Sequence, residues 1–160
     1  MLGGTAIITE QPIISGQPTR NRNRELAFVT ARLTLGVNIC LHGATRIFGP
    51  GAAVFAASTR SQFDGTVLPP GLVNAFLLAV PFVEAVLGLM TVTGLCTRWA
   101  LVGGSFLIAT LVFGTALRSD WASVGNQMIY AIAYYLLLAN CHDDAFSLDR
   151  LLRRLRPLAG

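Results

Sequence analysis

ALVGGSFLIATLVFGTAL, residues 100–117, carries no charged side chain. A helix in a soluble bundle needs a wet face, with polar residues at every third or fourth position. This one has none, and a chain of 160 residues encloses too little interior to hide a helix that is apolar on all sides. At about 1.5 Å per residue the stretch crosses most of a hydrocarbon core of about 30 Å. It reads as a membrane span.

Three more stretches outward from it have the same character: residues 26–47, 72–95 and 124–141. The composition agrees, with 53% hydrophobic and 12% charged residues and a mean hydropathy of +0.59, outside the range of ordinary soluble domains. The expected fold is all-α, an integral membrane four-helix bundle. Residues 1–24 are expected as a flexible cytoplasmic N-terminal tail, residues 25–146 as the membrane domain and residues 147–160 as a basic amphipathic cytoplasmic tail. The opening MLGGTAIITEQPIISGQP lacks the basic start of a signal peptide.

Every one of the 12 basic residues is arginine, and their distribution sets the expected orientation. Arg20, Arg22 and Arg24 precede span one, Arg98 separates spans two and three, and Arg150, Arg153, Arg154 and Arg156 follow span four. The opposite side holds Arg60 and Arg118, with Arg46 at the outer end of span one. Both termini are therefore expected inside (N-in/C-in). The outer connection 48–71 contains FGPG, FDG and LPPG, all turn signals. Its middle, AAVFAASTRSQF, is a candidate short helix on the outer surface. Trp99 and Trp121 fall at span ends, where indoles favour the interface. In SLDRLLRRLRPL, from Ser147, leucines and arginines segregate to opposite faces, which suits a capped helix on anionic lipid better than nucleic acid.

Any chemistry must lie in the polar groups that the spans carry at energetic cost. Arg32, Asn38, His42 and Arg46 of span one share an arc of about 120° at 100° per residue. Gly36 and Gly43 beside them would admit a neighbouring helix. Glu84 is the one acid of span two and needs a partner or a proton at mid-depth. Gln127, Tyr130 and Tyr134 lie on one face of span four. Gln127 and Tyr130, in the outer half, are expected to line a polar cavity opening outward together with His42, Arg46 and Glu84. Glu84, Arg32, His42, Arg46 and Gln127 are expected to share one buried network, with Glu84 reaching the outer pair of cations. The competing reading is interhelical glue, to which Asn38 and Tyr134 are suited individually. Cys40, Cys96 and Cys141 form no CxxC pair and read as small packing residues.

Arg32 followed by LTLG, HGATRIFG (42–49), PFVEAVLGLMTVTGLCTRWA (81–100), GNQMIYAIAYYLLLA (125–139) and FSLDRLL (146–152) appear in this order. In this the sequence resembles the DoxX family of small four-span membrane proteins, which includes the DoxD subunit of a thiosulfate:quinone oxidoreductase. Relatives often carry lysine where this chain has Arg46. The resemblance implies a membrane subunit, in a bacterial or archaeal cytoplasmic membrane, linked to quinone reduction and working with a further subunit or as a homo-oligomer.

On that reading a bound quinone is the expected cofactor or substrate. Glu84 and His42 are the expected catalytic pair, and Arg46, Gln127, Tyr130 and Tyr134 the quinone-binding residues. Arg32 and Asn38 form a structural intramembrane network. No haem, flavin, iron–sulfur or metal motif is visible: there is no CxxCH, no cysteine cluster and no GxGxxG after a strand. The alternative is a non-catalytic anchor or assembly subunit of a larger respiratory or stress-response complex. A transporter fits less well, because no inverted repeat is visible.

Overall fold

A computed structural model describes residues 17–155, with side chains from Arg22 onward. Six helices follow in order: α1 (Gln17–Phe48), α2 (Ala52–Arg60), α3 (Pro70–Thr93), α4 (Thr97–Leu117), α5 (Trp121–Ala139) and α6 (Leu148–Leu155). Short 3₁₀ turns at Ser61–Phe63 and Cys141–Asp143 follow α2 and α5. No strand occurs among the described residues.

Helices α1, α3, α4 and α5 are long and apolar enough to cross a membrane. Their outer surface confirms what they face. Leu33, Val37 and Leu41 of α1, Phe82, Val86 and Leu89 of α3, Phe106 and Phe113 of α4, and Ile129, Ile132 and Leu136 of α5 are all exposed. An apolar belt on all four helices is far beyond the patch a soluble monomer tolerates. The chain is a multi-pass membrane protein in contact with lipid.

The spans begin earlier than their hydropathy suggests, for local reasons. Helix α1 starts at Gln17 rather than near residue 26, so residues 17–24 are helix and not flexible tail. Nothing between Pro18, tolerated in a first turn, and Leu26 breaks the helix. The remainder of that expected tail, residues 1–16, lies outside the described residues, as do the Arg20 side chain, Arg156 and the tail end 156–160. Helix α5 starts at Trp121 because Asp120 caps it, accepting from the Ser123 amide at 3.1 Å and its hydroxyl at 2.6 Å. Pro70 opens α3 and Gly94, in the left-handed region, closes it.

The four spans form a ring in which α1 packs on α3, α3 on α4, α4 on α5, and α5 closes on α1. The α1–α3 contact is the closest. A side chain at Gly43 would strike the backbone of Pro81 and Ala85, one at Gly88 the backbone of Cys40, and one at Gly36 the Val92 amide at 2.7 Å. Small residues on both helices thus let the backbones touch. Phe28, Leu35, Ile39, Leu101, Ile108, Tyr134 and Leu137 fill the centre. The expected outer helix is present as α2. It lies on α3, burying Ala56 against Val73 and Leu77, with Phe55 and Phe63 packed beside them. The expected tail helix is present as α6, with no buried residue. Trp99 and Trp121, at opposite ends of the bundle, are both exposed.

Candidate functional site

Glu84 and Arg46 meet because helical side chains lean toward their own N-terminus. Helices α1 and α3 are antiparallel, so Arg46 near the end of α1 leans back into the bundle while Glu84 on α3 leans outward. The Arg46 Nη1 donates to Glu84 Oε2. The Glu84 side chain is 4% exposed and would be costly as a lone carboxylate. Gly43 against Pro81 and Ala85 puts this level near the middle of α3. The Arg46 guanidinium also lies over the Phe55 ring, 4.6 Å from its centroid, so α2 covers it from outside.

The remaining expected residues divide into two groups around this pair. An outer cavity of about 350 Å³ is lined by Arg46, Phe55, Phe63, Thr115, Arg118 and Gln127, among others. Gln127 does not join Glu84. It leans outward on α5 and accepts a hydrogen bond from Thr115 Oγ1 at 2.8 Å. Arg118, expected only as a charge on the outer side, supplies a second guanidinium here. It lies 4.9 Å from the Phe63 centroid, donates to Gln62 and stands 3.5 Å from Asp120. Its Nε is buried with no hydrogen-bond partner. The Ser123 hydroxyl and amide hold the Asp120 carboxyl below the usual carboxylate range, with Arg118 adding to the effect against a smaller opposing effect of burial.

The second group is a polar seam between α1 and α5. Tyr130 donates from its hydroxyl to Asn38 Oδ1 at 3.2 Å. His42 meets the Tyr130 ring edge-on, with centroids 6.5 Å apart and planes at 79°. Asn38 and His42 are exposed on the outer surface of the bundle rather than enclosed in a cavity. His42 nevertheless lies within Coulombic range of Glu84.

Two expected members fall outside both groups. Tyr134 is fully buried, its ring filling the space left by Gly104 on α4 and its hydroxyl unpartnered, so it is core rather than pocket lining. Arg32 does not share the network of Glu84. Its side chain leans toward the terminal end of α1, where it donates to the Phe146 carbonyl at 2.7 Å and lies 3.5 Å from Asp144 Oδ1. Asn38, grouped with Arg32 in the expectation, belongs to the seam instead.

The partners of Arg32 come from a segment read only as the approach to the tail helix. Asp149, in the SLD triplet, accepts from the Cys96 amide at 2.8 Å and the Thr97 amide at 3.0 Å, capping α4 from across the chain. Its own amide donates to the Gly94 carbonyl at 3.1 Å. Thr97 Oγ1 donates to Asp144 Oδ2 at 2.8 Å. A side chain at Gly94 would collide with the Arg32 guanidinium. The GLCTR and FSLD stretches are thus two halves of one polar clasp that ties the terminal end of the bundle together. No group of three or more His, Cys, Asp or Glu placed to hold a metal ion occurs among the described residues.

Neither the curated proteins nor the solved structures contain a match to this sequence. The sequence profile of the DoxX family matches residues 27–117, which takes in α1 from its first membrane turn, the outer helix, α3 and all of α4. That match covers more than half of the chain, and with four spanning helices in the structure the protein belongs to the DoxX family.

Proposed function

We propose that the protein is a membrane subunit of a quinone-linked oxidoreductase, with the quinone headgroup at the seam between α1 and α5. One observation carries this reading: Asn38, His42 and Tyr130 present polar groups sideways, at mid-depth, on a surface that is otherwise apolar. Polar side chains facing hydrocarbon are costly unless something satisfies them. A carrier that diffuses within the bilayer needs a site that opens laterally. A quinone takes up two electrons and two protons on reduction.

The residues present suit those needs. The Asn38 amide N–H, oriented by the Tyr130 hydroxyl, and the His42 ring are hydrogen-bond donors for a carbonyl oxygen, and His42 can pass a proton between the seam and the interior. Glu84 lies behind it, held by Arg46. Electrons come from a partner subunit or from a donor in the outer cavity, where Arg46 and Arg118 suit a small anion. The arginine-rich terminal end lies in the cytoplasm, and the cavity opens on the far side. A cytoplasmic membrane of a bacterium or archaeon is the corresponding location.

Organic extraction of purified protein followed by mass spectrometry tests the proposal. A stoichiometric quinone is expected, reduced severalfold in His42→Ala and Tyr130→Phe. Quinone that neither co-purifies nor raises the melting temperature when added would overturn it. A second reading, an anchor or assembly subunit, draws on the exposed Leu148, Leu151, Leu152 and Leu155 of α6. Loss of co-purifying subunits on deleting residues 147–160, from a protein free of quinone, would favour it.

A further inference from the structure

Two cavities adjoin at the terminal end of the bundle, on the opposite side from the outer cavity. The first, about 480 Å³, lies between the start of α4, the Cys141–Asp143 turn and α6, and Arg98, Arg150 and Arg153 line it. The second, about 400 Å³, is a groove between α1 and α5 walled by Ala27, Phe28, Ala31, Ala133, Leu136 and Leu137. Glu25 and His142 of the first are chain neighbours of Arg24 and Asp143 of the second, so a basic compartment and an apolar one share an edge.

The three arginines of this compartment face three acids, Glu25, Asp144 and Asp149, of which the two aspartates are turned onto other partners. Asp149 is taken up in capping α4, and Asp144 by Arg32 and Thr97. Both aspartates keep their charge, and with Asp144 offset by Arg32 the three arginines stand against Glu25 and the capping Asp149. Among the described residues Arg98, Arg150 and Arg153 enter no ion pair. Asp149 also fixes α6 to the bundle, so two of those cations sit on a positioned backbone rather than a free tail. The neighbouring Trp99 indole is 72% exposed at the start of its span, the depth where headgroups lie.

We propose that these two compartments together bind one acidic phospholipid. Its phosphate sits among Arg98, Arg150 and Arg153, and one acyl chain lies in the groove between α1 and α5. Guanidinium groups donate paired hydrogen bonds to phosphate oxygens, which makes this set suited to a phosphate head. The apolar groove beside it suits a chain and not a soluble anion. The proposal rests on the membrane fold alone and is independent of the quinone reading.

Native mass spectrometry of the full-length protein in mild detergent, with phosphatidylglycerol or phosphatidylcholine added, provides the test. One phosphatidylglycerol should persist under activation that strips phosphatidylcholine. Retention should fall about fivefold for each arginine lost in the Arg150→Gln/Arg153→Gln pair. Ala31→Phe with Ala133→Phe fills the groove without altering charge, and should also lower retention. Melting temperatures of the lipid-free variants report folding, and Arg98→Gln, exposed at the start of α4, replaces the pair if that pair misfolds. Equal retention of both lipids, or unchanged retention in the arginine variants, would overturn the proposal. So would glycerol phosphate binding as tightly as the lipid, which would make the compartment a site for free phosphate.

Discussion

Replacing Asp144 with asparagine should destabilise the bundle by about 3 kcal/mol. Asp144 and Arg32 have side chains 9% and 2% exposed, so water cannot solvate the cation once its partner is neutral. Removing one member of a buried pair typically costs about 3–5 kcal/mol. Two features place this case at the lower end: Arg32 keeps its 2.7 Å bond to the Phe146 carbonyl, and at 3.5 Å the ion pair is not tight. Its Nε and Nη1 already lack hydrogen-bond partners. Denaturing-detergent titration in mixed micelles, followed by circular dichroism, would measure the change, expected as a shift of more than a hundredfold in the folding equilibrium. Arg32→Met combined with Asp144→Leu should recover most of the loss, because two apolar groups of similar volume leave no charge uncompensated. A loss under about 1 kcal/mol for Asp144→Asn, or a double variant no better than the single one, would refute the claim that a desolvated pair holds the clasp.

Asp149→Ala removes both acceptors that cap α4 and should cost about 1–2 kcal/mol in the same titration, with faster amide exchange at Cys96 and Thr97. Gly88→Val drives a branched side chain into the Cys40 backbone and should cost about 3 kcal/mol or prevent folding, whereas Gly125→Ala, which meets nothing, should be neutral in thermal melts. The Asp120 carboxyl has a lowered folded pKa, so its support of α5 is fully present above the unfolded value near 3.8 and disappears as pH falls through the lower folded value. Asp120→Asn should therefore abolish the part of the melting-temperature change seen between pH 5 and pH 2 that belongs to this cap. In a background without native cysteines, Asp64→Cys should react with an impermeant label from outside and Arg98→Cys only from inside. The reverse pattern would invert the topology.

The spans were legible because a lipid-facing helix has no wet side to disguise, and the outer helix because its breakers bracket it. The pairing of Glu84 with an outer cation was also legible, since helices α1 and α3 had to run in opposite directions. The rest of the expected network failed for one reason. A helical wheel orders residues by angle and carries no axial lean, so Arg32 and Arg46 look alike on it although one reaches toward the terminal end and the other toward the middle. The same wheel holds a gradient. Asn38 and His42 sit at the edge of the stripe that turns toward α5, while Arg46 and Arg32 sit at the edge buried by α3. Asp149 was unreadable in another way, because a carboxylate in SLD looks like the first turn of its own helix and gives no sign that it caps a different one. Arg118 was discounted as a loop charge. Its partners Gln62 and Phe63 reach it only after α2 folds back over α3.

The clasp has a consequence for how the protein is made. The carbonyl that receives Arg32 belongs to a residue 114 positions later in the chain, and Asp144 just precedes it in synthesis. When the first helix leaves the ribosome its guanidinium lacks Asp144, and it gains that counter-charge only once the segment after the fourth span has been made. Until then the helix either stays displaced toward the side from which it entered, keeping the cation in the headgroup layer, or remains beside the insertion machinery. Final seating of the first span thus waits until residues 144–149 have been made. Chains released early, before residues 144–149 are added, would leave that span unseated, and quality-control proteases that inspect polar groups within the membrane would have a physical mark by which to tell them from finished molecules.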